Sequence, residues 1–430
     1  MAEVSIPSGT SYHLELNFPN SDYQLAQQLL QTLATDAADG KEFFTLFPAS
    51  DPPGDPSSTP GFGQGLFNFF PFPFGGEGHH QHGSPVPPGD VGVYAIVETG
   101  QTVTSPVDVP RGYTYTIIDT THHIDVTGNG GNGDITLIAP TDGGSVDFNT
   151  DGGSGTVVAG YGNNVISTPL FGGGDYLIVT GPGNDTINAL SGNDTISPGG
   201  GSNLVNLGFG NDSVGLSGTN DTVNASFGSD TISVTGNDST LVTDLFAKLH
   251  FVNGSAPSTV LGGLGSITVD GGAGGGLYIG GLGGHNSITG GTGQATMFGG
   301  GNGDTLSAGS STLGDLLIAG LGNETLTSAN STGQDTMYGG SGHDLMIAGV
   351  GGDLMDGGAG TMNFEFVKGM TSSASTYTVL NYHAGDAVTL QGYSGDHTTS
   401  AGGNTTLSLS DGTKITFVGV ANASELNIHT

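Results

Sequence analysis

Residues 180–206 read TGPGNDTINALSGNDTISPGGGSNLVN, three nonapeptides end to end, each with Asp or Asn at its sixth position and Ile or Val two residues later. The beat runs through six repeats over residues 180–233 without a slip. Its sixth positions are Asp185, Asp194, Asn203, Asp212, Asp221 and Asp230, and its aliphatic positions are Ile187, Ile196, Val205, Val214, Val223 and Ile232. A strand of about three residues cannot bury its faces alone, so stacked copies must bury the aliphatic position together. Glycine supplies the positive-φ turns between the strands. The repeat therefore predicts an all-β chain wound as a parallel β-solenoid, with a turn at each edge of the coil.

Charge narrows the possible partners. Lys and Arg total 5 against 39 Asp and Glu, a formal net charge of −34 over 430 residues. Such a surface repels phosphates and attracts cations, which argues against nucleic acid. There is no cysteine, so disulfides, thiolate metal sites and a cysteine nucleophile are excluded. No run approaches the roughly 18 apolar residues of a membrane span, so membrane insertion is not expected. The start, MAEVSIPSGT, lacks the charged and apolar regions of a secretory signal.

The chain divides by composition into seven stretches. Residues 1–47 hold one predicted helix, over 21–38, capped by Ser21 or Asp22, with Leu25, Leu29, Leu30 and Leu33 on one face and Gly40 as its stop. Residues 48–90 are rich in Pro, Gly and Phe, and proline at that density forbids both helix and central strand. Phe67, Phe69, Phe70, Phe72 and Phe74 crowd this arm, and exposed aromatics need a cover, either the solenoid itself or a neighbouring subunit. His79, His80 and His82 read more readily as a solvated loop than as a transition-metal site. Short β-branched runs over 91–179 predict irregular coils that start the solenoid. The first regular array, 180–235, is followed by 236–261, where LFAKLHF has lost the beat and reads as a bulged rung or a short helical insertion. A second glycine-rich array spans 262–365, loose at first, with Asn286 and Asp304 eighteen residues apart, and tight over 339–365. Residues 366–430 predict an antiparallel β cap that seals the coil.

The sixth-position acid stands beside the backbone carbonyls of a glycine turn. Hard oxygen ligands in a flexible ring suit Ca2+ better than Mg2+ or a transition metal. The pattern resembles the RTX (repeats-in-toxin) family, whose GGxGxDxUx nonapeptides wind a calcium-bound parallel β-roll. Residues 339–347, GGSGHDLMI, fill every position of that consensus. The resemblance implies Ca2+ held by sixth-position acids and turn carbonyls, between turns two nonapeptides apart. Carried over, it stacks Asp194, Asp212 and Asp230 on one edge, and Asp185, Asn203 and Asp221 on the other. In the second array the implied ligands are Asp304, Asp315, Asp335, Asp344 and Asp353, where Asp335 pairs with Asp353 and Asp344 meets Met362. The leading Gly-Gly of the consensus is replaced by AL, LG, LS or AS in most of the first array. The last 55 residues or so, with AGDAVTLQGY and LSDGTKITFVGV, resemble the C-terminal region of RTX proteins, which implies an uncleaved type I secretion signal.

Neither HExxH nor GxSxG occurs, and GNGGNG at 128–133 is followed by a strand-like run rather than a helix. The expectation is a non-enzymatic protein. The RTX resemblance implies an extracellular or cell-surface protein of a Gram-negative bacterium that assembles with itself into a filament, matrix or S-layer. The aromatic arm over 67–74 would be its intersubunit plug. The alternative is a monomeric secreted adhesin or carbohydrate-binding module, with cell-surface polysaccharide as its partner.

Overall fold

In the computed structural model the described residues are 106–430, apart from 110–112, 120–121, 129–133, 140–143, 236–239, 371–374 and 395–396; before 106 they are four strand backbones and Gln28. The aromatic arm and the three histidines at 79, 80 and 82 lie outside them, as does the 21–38 helix apart from Gln28. The chain forms two compact units, Met1–Asp221 and Thr222–Thr430.

The first unit is a parallel β-solenoid. One sheet runs through Glu42–Pro48, Val91–Val97, Tyr113–Asp119, Ile135–Ala139, Gly153–Ala159, Gly173–Val179, Thr195–Ser197 and Ser213–Leu216, each parallel to the next. The second collects Ile124–Gly128, Val146–Thr150, Val165–Ser167, Thr186–Ser191 and Leu204–Gly210 in the same manner. From Val91–Val97 on, successive strands alternate between the sheets, so in the regular array one coil takes two nonapeptides. Ile187 accordingly pairs with Val205, eighteen residues on. Alternation along each strand turns the aliphatic residue inward, and Ile166, Ile187 and Val205 on one sheet and Ile178 and Val214 on the other are fully buried. Each such side chain contributes roughly 1.5–3 kcal/mol through burial. Where the early coils are wider, aromatic residues fill them: Tyr176 is buried, and its hydroxyl donates to the Gly152 carbonyl at 2.9 Å.

The second unit repeats the plan with coils of changing length. Val223 pairs with Val242 and Ile232 with Phe251, nineteen residues apart, whereas Leu317 pairs with Met337 at twenty. The expected bulge or helical insertion at LFAKLHF is instead a regular coil carrying one extra residue. Leu241–Asp244 and Lys248–Val252 are strands paired on both sides, and the Asp244 carboxylate turns the chain between them by accepting the Ala247 N–H at 2.8 Å. The extra residue lies upstream, between inward Ile232 and Val242, so the beat resumes one residue out of frame and runs on through Phe251 and Val260.

The unit ends in an antiparallel arrangement, as the sequence predicts for this segment. His397–Ala401, Asn404–Ser408 and Lys414–Phe417 pair in that sense, and the last also runs parallel to Thr376–Leu380. Phe364, Phe366, Tyr377, Tyr382 and Phe417 stack edge-on or tilted beneath it, so aromatics replace the aliphatic column at this end.

Candidate metal centre

At each turn the sixth-position side chain points inward, and its Oδ1 accepts the backbone N–H one coil earlier. In the first unit Tyr176 donates to Asp194, and Asp194 donates to Asp212, both at 2.8 Å. On the opposite edge Asn164 donates to Asp185, Asp185 to Asn203 and Asn203 to Asp221, at 2.7–2.9 Å. These side chains form one column along each edge, and all are buried.

The second unit holds two further columns. Ala295 donates to Asp315, Asp315 to Asp335 and Asp335 to Asp353, an unbroken run of three carboxylates. Asn286 donates to Asp304 on the other edge, and Glu324 donates to Asp344. Asp344 then faces Met362 in register, as the sequence implies, but the column resumes at Asp386, which accepts the Met362 N–H at 2.8 Å. Asp230 is buried in this unit and has Leu249 as its parallel neighbour, so no second carboxylate follows it there.

Sequence reading missed Glu324 and Asp386. Residues 319–327, AGLGNETLT, place Glu324 at the sixth position, so a repeat search that allowed Glu for Asp would have found it. The stacking of Asp315 on Asp335 was hidden by the twenty-residue coil between them. The fifth position carries a ladder of its own. Asn193 donates its N–H to Asp175, and Asn211 to Asn193, on the exposed rim.

The second carboxylate oxygens fall into two groups. Those of Asp304, Asp344 and Asp353 accept N–H groups of the preceding turn, from Gly300, Gly340 and Gly349, at 2.6–3.0 Å. The buried Oδ2 atoms of Asp194, Asp315 and Asp335, and both oxygens of Glu324, have no hydrogen-bond partner. Burial pushes Asp194 and Asp335 up to about 7 and Asp315 to about 6, against the partial relief of backbone N–H donors, while burial and the neighbouring Asp344 carboxylate together raise Glu324. A buried carboxylate oxygen with an empty acceptor demands a proton or a cation.

Positions where Asn replaces Asp show what that oxygen faces. Asn286 Nδ2 donates to the Gly281 carbonyl at 2.7 Å, and Asn164 Nδ2 reaches the Gly160 and Gly162 carbonyls. The amide thus supplies N–H donors to the turn carbonyls, where a carboxylate would set acceptor against acceptor. At Asn203 the amide finds no such acceptor. Glycine is required for the turn carbonyls to lie this close. A Cβ at Gly201, whose φ is +109°, would overlap the Gly183 carbonyl oxygen of the coil before it. The donor set is oxygen throughout, carboxylate plus carbonyl, and fits a hard cation of flexible coordination such as Ca2+. Asp194, Asp315, Asp335 and Glu324 would hold it, together with the glycine-turn carbonyls, and bound Ca2+ would supply the charge these columns lack.

A parallel β-solenoid with buried acids at its glycine turns places an all-oxygen donor set at each edge of the coil. The RTX calcium-binding nonapeptide repeat matches residues 179–214 and 330–361, in four copies. These matches contain Asp185, Asp194 and Asp212 in the first unit and Asp335, Asp344 and Asp353 in the second. The chain therefore carries RTX calcium-binding repeats, and Ca2+ is their ligand. No curated protein and no solved structure matches the chain.

Proposed function

We propose that this is a secreted calcium-binding structural protein that assembles with itself into an extracellular filament or surface layer. The columns of buried carboxylates carry the calcium part of the reading. Sites of this kind bind weakly, with dissociation constants on the order of 10⁻⁴–10⁻³ M in extracellular modules. They would be empty inside a cell and filled outside it, so export of the unfolded chain and folding on arrival become coupled. A type I signal in the last 55 residues or so fits that route. Among the described residues no helix is long and apolar enough to cross a membrane.

Self-assembly is supported by apolar side chains that repeat with the coil. Leu245, Leu264 and Leu282 lie on successive turns of the second unit, linked through N–H donation from Leu264 to Leu245 and from Leu282 to Gly263. They are 51–64% exposed, and Leu321 beyond them is 68% exposed. A repeating apolar stripe of this kind favours a protein–protein contact. The reading is non-enzymatic, since these side chains bind and stack but form no nucleophile–base pair.

Negative-stain microscopy and sedimentation velocity in millimolar calcium, and then in excess chelator, test the proposal. Ordered polymers in calcium that disperse on chelation, and that are lost in Leu264→Asp/Leu282→Asp, are the expected outcome. Dispersed monomers in both conditions would favour the monomeric adhesin instead. Deletion of residues 60–76 probes the aromatic arm, and unimpaired polymers would refute its role as a plug.

A further inference from the structure

We infer that His123, Asp125 and Asp147 form a second kind of metal site, for a divalent transition metal of the Zn2+ type, on the outer face of the first unit. Asp125 and Asp147 occupy the same register position on adjacent parallel strands, Ile124–Gly128 and Val146–Thr150. Their chain neighbours Ile124, Val126, Val146 and Phe148 are buried, so strand alternation turns both carboxylates outward. His123 immediately precedes the first strand, and one ligand atom from each of the three residues lies within 4.8 Å of the other two.

The two distances from the imidazole bracket the ligand spacing of a coordination sphere. His123 Nε2 is 3.2 Å from Asp125 Oδ1 and 3.8 Å from Asp147 Oδ2. Ligands roughly 2.0–2.2 Å from a tetrahedral Zn2+ stand about 3.3–3.6 Å apart. The other ring nitrogen, Nδ1, is 2.7 Å from the Ser145 hydroxyl. With Nδ1–H donating to that oxygen, the ring is held in the tautomer that presents the Nε2 lone pair to the two carboxylates. Outer-shell partners of metal-bound histidines act in this way. A lone pair facing two carboxylates needs a cation between them, which is either a proton on Nε2 or a metal ion.

The site differs in chemistry from the calcium columns. It offers an imidazole nitrogen and two carboxylates on a strand face, and imidazole suits Zn2+, Ni2+ and Cu2+ rather than Ca2+. Three protein ligands leave a fourth position for water or for a ligand from outside.

Zinc titration of the full chain in saturating calcium tests the inference, with His79, His80 and His82 replaced by Gln in the parent so that they do not compete. Isothermal calorimetry should show one zinc equivalent that weakens at least tenfold in both His123→Gln and Asp147→Asn, and less in Ser145→Ala. Co2+ added to the parent should give the visible absorption of a tetrahedral nitrogen–oxygen site, and His123→Gln should abolish it. These side chains lie on the surface, so an unchanged circular dichroism spectrum in calcium checks that each variant is folded. Identical zinc isotherms for the parent and His123→Gln, or no zinc binding to the parent, would overturn the inference and identify His123 as an imidazolium held by two carboxylates.

Discussion

At Asn286 the turn is completed within the protein, because the amide donates to the Gly281 carbonyl. At Asp335 an oxygen in the same role is buried without a partner. This contrast predicts the behaviour of Asp335→Asn. The variant should lose calcium affinity by about tenfold, or about 1.4 kcal/mol, yet melt at a higher temperature than the parent once calcium is chelated. Differential scanning fluorimetry with and without chelator measures both, and a variant less stable than the parent in chelator would contradict the assignment. The same carboxylates fix the sign of the pH dependence. Burial lifts Asp194 and Asp335 to about 7 and Asp315 to about 6, whereas an unfolded Asp titrates near 3.9. Between these values the folded protein binds more protons than the unfolded chain, so calcium-free stability rises as pH falls from 8 towards 4 and is lost as pH climbs through 6–7. The chelated protein should therefore melt higher at pH 5 than at pH 8. Calcium should raise its melting temperature more at pH 8, where it does not compete with protons. A chelated melting temperature that is flat or rising over this range would show that these groups do not titrate as described.

Within a coil, the inward aliphatic and the turn glycine divide the work. Ile187→Ala empties a fully buried position between Ile166 and Val205 and should cost about 2–5 kcal/mol in chemical denaturation. Two adjacent glycines offer a sharper test. A Cβ at Gly200 meets nothing within 4 Å, while one at Gly201 overlaps the neighbouring carbonyl at a φ of +109°. Gly200→Ala should be nearly neutral, and Gly201→Ala should destabilise by about 1–3 kcal/mol; equal effects would refute the close stacking of turns. At this scale the sequence was most informative where the coil is eighteen residues long. Inward Ile187 and Val205 and the sixth-position columns followed directly from the period. Asp315 and Glu324 were harder to place, the first because a twenty-residue coil breaks the period and the second because Glu stands for Asp. The His123 site has no period at all, since its ligands meet only through the register of two strands in wide, irregular coils.

For the whole chain, 39 acids against 5 bases make the folded state a problem of charge. Burying carboxylates in columns adds desolvation to that repulsion, and a glycine-rich chain loses much conformational entropy on folding. Cation binding to the folded state alone offsets both, by about 2.7 kcal/mol for each site at a calcium concentration of 100 times its dissociation constant. Composition announced this dependence before any turn was located, although it could not say which carboxylates carry it. If calcium holds the solenoid together, far-ultraviolet circular dichroism of the chelated protein during a calcium titration at pH 7.5 shows it most directly. The expected result is a chelated spectrum with weakened β structure that gains its full β signal cooperatively in the submillimolar to millimolar range, reversed by chelator and not produced by magnesium. A β spectrum that is already complete in chelator and unchanged by calcium would contradict it.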